Sequence, residues 1–404
     1  MTVRFLAVLL LLVASVSACG SGDEKSVTVL ASWTGPEADA FQSVLAQFEK
    51  DTGIEVDYTG TRDARAVLAS ELHNGHPPDT AVLANPGDLR SYAASGALRP
   101  VGGGAGSDLT TATGPDGARH PYGIVVKAAV KSLIWYNQAA IGPDLRARLA
   151  AQTGWDGFAK AAAEIGPKPW CLGFADTSNS GWPGTDWIED LILHEAGPGP
   201  YDAWASGRLP WTSDEVRRAW QTFGSVIAAS GTSDILLTGY GQAGTPMATD
   251  AQGCRLDHQG SFITAFYSQA GGSGFDFLPF PGGQAVEIGG DILGMFRDTP
   301  SARRLVAYLT TARAQQIWIK RRGSGAFSLN RDVPPGAYPD AVSQRIAQAL
   351  TSAKVVRFDA SDSMPTVMAA AFNHAVLEFV ADPGRLDKIL TALDKVRRTT
   401  TFPS

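Results

Sequence analysis

Apolar side chains alternate at Val27, Val29 and Ala31, the two-residue period of a strand. From Pro36, a residue suited to a first helical turn, the period lengthens. Phe41, Val44, Leu45 and Phe48 recur at helical spacing, and Gly53 closes the helix. IEVDY then predicts a second strand, ARAVLASELHNG a second helix, and DTAVLAN a short apolar strand ending in Asn85-Pro86-Gly87. Strands alternating with helices predict an α/β fold with a mainly parallel sheet. At Tyr122 the pattern changes to YGIVVKAAVKSLIWYNQ, a long β-type run that can leave one sheet and enter another. Helical patterns follow in WDGFAKAAAEIG, DWIEDLILHEAG and TSDEVRRAWQTFGSVIAASG. A Gly/Pro-rich strand region, GFDFLPFPGGQAVEIGGDILGMF, precedes a tail of further helices, among them MPTVMAAAFNHAVLEFVAD. No repeat of fixed period is present.

The N-terminus has another texture. MTVRFLAVLLLLVASVSACGSG carries one positive charge at Arg4, an apolar run from Phe5 to Val13, and then small residues. The run is too short for a mature bilayer-spanning helix, which needs about 20 residues, so residues 1–18 read as a signal peptide. Its end, Val16-Ser17-Ala18-Cys19, resembles the bacterial lipobox. That resemblance implies diacylation of the Cys19 thiol, a lipidated tether over 19–25, and an extracytoplasmic protein held to the cell membrane by its lipid alone.

A chain of 404 residues, 44% apolar and 18% charged, is globular and long enough for two or three domains. A net charge of −6 argues against a nucleic-acid partner. With Cys19 set aside, Cys171 and Cys254 are an even pair in an exported chain, which predicts a disulfide; two buried free thiols are the other reading. Metal and catalytic patterns are weak. His73 and His76 lie in a Gly-Pro-rich loop, and no HExxH, CxxC or G-x-S-x-G occurs. GSGAFS at Gly323–Ser328 lacks the lysine of a phosphate loop and reads as a hinge or turn. No metal and no cofactor is expected. Among 40 Asp and Glu residues nothing marks a pair for glycoside hydrolysis.

Aromatic residues beside hydrogen-bonding side chains are the more informative pattern. Six of the ten tryptophans fall between Trp170 and Trp220. SWTGPE, SGWPGTDW, RLDHQGSF and IGGDILG place rings or small residues next to acids and amides in loops. Sugars have apolar C–H faces and hydroxyl edges, and a site for them needs flat rings with donors and acceptors around them.

Several of these segments resemble, in order and spacing, the extracellular solute-binding proteins of sugar-importing ABC transporters, the group that includes maltose-binding protein. The marks are the lipobox, the opening strand ending at Trp33 with Gly35-Pro36-Glu37, SLIWYNQ at Ser132–Gln138, GGDILGMF at Gly289–Phe296, and MPTVMAAAF. The span from KPWCLGFADTSNSGWPGTDWIED through GCRLDHQGSFI looks most like binding proteins for α-glucosides, and it holds both remaining cysteines. The resemblance implies a two-lobed periplasmic-binding-protein-like α/β fold with three interdomain crossings. Ligand would lie in the cleft between the lobes, with closure by hinge motion. The crossings are expected near Tyr122–Lys127, Gln284–Gly289 and Gly323–Ser328. Lobe 1 is then 26–125 plus 287–325, and lobe 2 is 126–286 plus 326–404. The implied protein is a monomeric, non-catalytic receptor that delivers a carbohydrate, an α-glucoside or short maltooligosaccharide, to its permease. A membrane-anchored glycoside-active enzyme is the competing reading, as is the same receptor for a polyol or a glycerophosphodiester.

Trp33 ends a strand at the carboxyl edge of a parallel sheet, where α/β proteins bind ligands, and Glu37 lies one turn into the next helix. Both are expected to face the ligand, as are Arg62 and Lys127. Asp186, with Glu189 three residues later, reads as a helix N-cap with its capping-box partner. That would place Trp187 on the first helical turn and Trp182 on the loop before it, together a stacking wall. Asp257, His258 and Gln259, and Gly290 with Asp291 beyond a crossing, complete the expected ligand contacts. Each has a structural alternative: packing for the rings, capping or solvation for the polar groups.

Overall fold

The computed structural model describes residues 25–104, 107–231, 234–249, 253–282, 285–321 and 324–402. The expected signal peptide, Cys19 and most of the expected tether lie outside them. The strand Ser26–Ala31 pairs in parallel with Glu55–Gly60 on one side and Thr80–Leu83 on the other. The helix Pro36–Thr52 connects the first two strands and ends on Gly53, whose φ of 70° lets its N–H reach the Glu49 carbonyl. Asn85 caps the helix Pro86–Ala94, its side chain accepting from the Asp88 N–H.

The sheet is completed by a long strand, Ala285–Met295, antiparallel to Thr80–Leu83. Ile292 to Gly294 of this strand pair both with Thr80–Leu83 and with Gly123–Val130, so those two strands lie on its opposite edges. Its first residues pair in parallel with Val355–Phe358. A second sheet of four strands runs in the order Phe275–Pro279, Leu133–Asn137, Leu256–His258, Trp170–Cys171.

The β-type run from Tyr122 does serve both sheets, but the change comes at Lys131 and Ser132, between the strands Gly123–Val130 and Leu133–Asn137. That is later than Tyr122–Lys127. The third crossing is also displaced. Phe327, in the Gly-rich segment, bridges back to Ala128 of the first sheet, and Val355–Phe358 is a strand of that sheet. The chain therefore stays with the first sheet past residue 326 and leaves it after Phe358. A glycine-rich turn can return a chain as well as release it, and here it returns.

The second lobe is packed on tryptophan. Trp187, 2% exposed, meets Trp170 edge-on at 4.8 Å and Trp155 at 5.5 Å. Trp204, Trp211 and Trp220 surround Phe372 of the helix Thr366–Ala381. Cys171 and Cys254 are bridged, with an S–S distance of 2.10 Å, closing a loop across a sequence separation of 83.

A cross-link over a loop of that length restricts the unfolded chain by roughly 3–5 kcal/mol. Urea denaturation of the Cys171→Ala/Cys254→Ala variant should show a stability loss of that order. An unchanged midpoint would mean that the bridge contributes nothing.

Candidate functional site

The helix Trp182–Leu191 begins one residue after Gly181, whose φ is 108°. A Cβ at Gly181 would lie 2.2 Å from the Asn373 carbonyl oxygen, so only glycine lets the helix start this close to the helix Thr366–Ala381. Asp186 is consequently inside the helix and does not cap it; Pro183 occupies the first turn instead.

Trp182 is half-buried at that helix start. Its Nε1 donates to Asp176 Oδ2 at 2.9 Å, and its ring meets Tyr240 at 4.9 Å and Phe262 at 5.8 Å. These three rings form an aromatic cluster, of which Trp182 reaches the cavity. A cavity of about 690 Å³ opens beside Trp182, lined by Asp176, Asp362 and Asn373 of the second lobe and by Arg65 and Asn85 of the first. Arg65 donates to Asp88 at 2.9 Å and reaches the Thr366 hydroxyl at 3.4 Å across the mouth of the cavity.

Behind Trp182 lies a buried polar node. The Lys131 ammonium sits 5.1 Å from the ring centroid and donates to Asp186 Oδ1 (3.1 Å) and Oδ2 (3.0 Å) and to Asp359 Oδ2 (2.7 Å). Burial pulls the Lys131 pKa down, but Asp186 and Asp359 outweigh it and hold the ammonium charged. Burial likewise raises Asp359, yet Lys131 and the surrounding hydrogen bonds bring it down to about 2. Glu189 and Glu287 are pushed well up by burial and by neighbouring acids, which keeps them neutral. Glu189 accepts from the Ala360 N–H at 2.7 Å, and the Tyr201 hydroxyl lies between Glu287 and the Phe358 carbonyl. Asp186, Glu287 and Asp359 offer oxygens within 4.8 Å of one another, a set that could hold a metal ion. The Lys131 ammonium already serves two of them as a tethered cation.

On the first lobe, Glu37 gathers Lys127 at 2.7 Å and Arg62 at 3.3 Å, and Lys127 lies 4.0 Å from Asp291. Burial raises Glu37, but Lys127 and Arg62 win and lower it. Burial and Glu37 raise Asp291 to about 6 against the opposing pull of Lys127. Four of the expected contacts thus come together as one charged cluster. Trp33 does not stand free as a stacking surface. It is 3% exposed and packs edge-on against Phe41 at 4.9 Å and Trp318 at 5.0 Å, with Lys127 5.8 Å from its ring. Gly290 permits close packing: a Cβ there would lie 3.1 Å from both the Lys127 carbonyl and the Phe358 ring.

Three expected contacts in the second lobe are internal. Asp257 accepts from Tyr267 at 2.8 Å, His258 bonds Asp190 at 2.7 Å and lies 4.5 Å from the Trp187 ring, and the Gln259 carbonyl accepts from Trp135. Leu256–His258 is an inner strand of its sheet, so its polar side chains point into packed layers rather than the cavity. Trp187 faces those layers too. The residues that do line the cavity, Asp176, Asp362, Asn373, Arg65 and Asn85, carry no motif in the sequence. Of the expected contacts, Trp182 lines the cavity.

Comparison with known proteins follows this geometry. A profile of bacterial extracellular solute-binding proteins matches residues 43–349. The chain is 32% identical over 373 residues to the osmoprotective compounds-binding protein GgtB of Synechocystis sp., covering 86% of each chain. It is 30% identical over 399 residues to the alpha-glucosides-binding periplasmic protein AglE of Rhizobium meliloti, covering 90% of this chain and 85% of that one. Among solved structures, the bacterial solute receptor AcbH, described with a preference for b-D-galactopyranose, superposes with a TM-score of 0.75 at 17% identity, over 93% of this chain and 98% of its own. RafE from Streptococcus pneumoniae superposes with a TM-score of 0.71 at 14% identity, over 93% and 98%. The two-lobed fold is common to them.

Two outcomes test the buried groups. Lys131→Met leaves Asp186 and Asp359 without their cation and should cost about 3–5 kcal/mol of stability in urea denaturation; a loss below 1 kcal/mol would contradict the node. Burial raises Asp257 to about 7 despite the Tyr267 hydrogen bond. A folded-state pKa above the unfolded value of about 3.9 means the native state holds an extra proton, so stability falls as pH rises from about 4 to about 7. Asp257→Asn should remove that loss, gaining on the wild type by up to a few kcal/mol between pH 4.5 and 7.5. A difference constant with pH would refute the assignment.

Proposed function

The chain belongs to the bacterial extracellular solute-binding proteins, and we propose that it captures a small neutral glycoside beside Trp182 and delivers it to the permease of an ABC importer. The observation that carries this reading is the Trp182 ring, backed by Tyr240 and Phe262, on a cavity of about 690 Å³ with hydrogen-bonding groups from both lobes. Small-molecule sites span roughly 300–1,000 Å³, so the space suits an α-glucoside or short maltooligosaccharide. A ring face takes the C–H side of a sugar, while Asp176, Asn85, Asn373 and Arg65 offer partners to its hydroxyls. The likeness to AglE supports an α-glucoside. The likeness to GgtB favours a second reading within the same cleft, a compact osmoprotective solute.

The proposed work is binding and closure without bond cleavage. The family lies outside the cytoplasm, and Cys19 is proposed as the lipidated anchor of a monomer. The cleft is formed where the 26–130 and 285–358 segments meet the rest of the chain, a division proposed in place of the boundaries expected from the sequence.

Calorimetry with maltose, trehalose, maltotriose and glycerol glucosides should find one-to-one binding and no released product. Trp182→Ala should weaken that binding by about 1–3 kcal/mol, the worth of one stacked ring and its contacts. Trp187→Ala should instead lower stability by about 3–5 kcal/mol, the cost of emptying a core tryptophan site, and leave the affinity of the folded protein near wild type. Wild-type affinity in Trp182→Ala, or steady product release, would sink the reading.

A further inference from the structure

One wall of the cavity is fastened from the opposite lobe. Ser361, Asp362, Met364 and Thr366 all line the space beside Trp182. They lie on the short helix Ala360–Ser363, just after the chain leaves the first sheet at Phe358, and on the turn that follows. The second lobe holds the start of this helix, where Glu189 accepts from the Ala360 and Ser361 N–H groups at 2.7 and 3.3 Å. At its end the Met364 N–H takes up the Ala360 and Ser361 carbonyls at 2.9 and 3.2 Å. The Asp362 and Ser363 carbonyls receive no donor from the turn itself.

The first lobe comes up against those two carbonyls. A Cβ on Gly87, in the first turn of the helix Pro86–Ala94, would lie 2.9 Å from the Met364 carbonyl oxygen and 3.3 Å from that of Asp362. Glycine is what lets the two backbones approach this closely. One turn further on, the half-buried Arg90 donates to the Ser363 carbonyl at 2.6 Å. A cation at a helix C-terminus both bonds a free carbonyl and meets the negative end of the peptide dipoles. Here the cation belongs to the other lobe, 273 positions away in the chain. The helix that carries Arg90 starts at Asn85, which lines the cavity from the first lobe. One helix and one guanidinium therefore space two facing walls, Asn85 on one side and 361–366 on the other.

Resting on the glycoside reading above, we propose that Arg90 is a positioning residue for ligand capture. It does not line the cavity. It holds the 360–366 wall in place from across the cleft and keeps the lobes together around a bound sugar. A contact between lobes adds to affinity only as far as it is made in the ligand-holding arrangement and lost when the lobes part. Its removal therefore appears as faster release of ligand, with the rate of capture little changed.

The test uses the full protein and the variants Arg90→Met, Arg90→Lys and Gly87→Ala, with maltose, trehalose and a glycerol glucoside as ligands in stopped-flow fluorescence. Arg90→Met should release the bound glycoside about tenfold faster or more, the worth of one hydrogen bond from a charged donor, and associate within about twofold of the wild-type rate. Arg90→Lys still donates to a carbonyl and should fall between Arg90→Met and wild type. Gly87→Ala keeps the guanidinium but wedges the two backbones apart, and should also speed release. In the ligand-free protein, hydrogen exchange should quicken over 360–364 in Arg90→Met and stay at the wild-type rate over the helix Trp182–Leu191. Wild-type release in Arg90→Met, a loss confined to the association rate, or no gain in Arg90→Lys over Arg90→Met overturns the role of Arg90 and leaves the glycoside reading intact. Unchanged exchange over 360–364 overturns it whatever the ligand. A wild-type protein that binds none of the three glycosides overturns the glycoside reading, and exchange over 360–364 then decides on Arg90 by itself.

Discussion

The Lys131 ammonium, enclosed by Asp186 and Asp359, is the interaction on which the two-lobed arrangement turns. The chain leaves the first sheet, returns to it and leaves it again, and these three passages meet there. The first is Lys131-Ser132 itself. The second brings Glu287, whose N–H donates to Ser132 Oγ and whose carbonyl accepts from the Lys131 N–H, each at 2.8 Å. The third brings Asp359, whose N–H donates to the Ile288 carbonyl at 2.9 Å. Removing ions from water costs several kcal/mol each, so such a node is weak as a source of stability and strong as a source of registry. Each partner is correctly placed only when all three crossings are.

The same node supports the helix that begins at Trp182. Asp186, Glu189 and Asp190 lie on one helix with Trp182 at its start, and each is tied to a crossing: Asp186 to Lys131, Glu189 to Ala360, Asp190 to Ser132. Displacement of the helix would disturb the hinge strands, and the reverse also holds. Burial would raise Asp190, but His194 at 3.4 Å and His258, hydrogen-bonded at 2.7 Å, lower it, so it stays ionised among neutral acids. Ionised and neutral carboxyls side by side let the cluster be buried with few uncompensated charges.

Much of the fold was legible in the chain because it rests on local chemistry. Period-two alternation at Val27 to Ala31, the Gly53 stop and the Asn85 cap each need only near neighbours. Of the charged cluster, Glu37 on a first helical turn and Arg62 just past a strand end were legible from position, whereas Lys127 and Asp291 sit mid-strand and meet through the register of two paired strands. Asp257 and His258 were misleading because their partners, Tyr267 and Asp190, come from other elements, and a strand's sequence does not say which neighbours will cover it. For Trp182 and Trp187 a helical projection settles the question once the helix start is known. Five residues turn the helix by roughly 140° beyond a full turn, so the two rings cannot share a face. The error lay in starting the helix at Asp186, because a proline and a glycine were taken as a loop when they form its first turn.

The bridge between Cys171 and Cys254 encloses Asp176, Trp182 and Tyr240 within one covalent loop. A single backbone cut anywhere inside that loop yields two fragments that are still one molecule. For a chain that works beyond the cytoplasm, where it cannot be resynthesised in place, that is a form of damage tolerance. The nicked protein keeps both halves of its aromatic cluster tethered to the same scaffold, and re-docking becomes an intramolecular event.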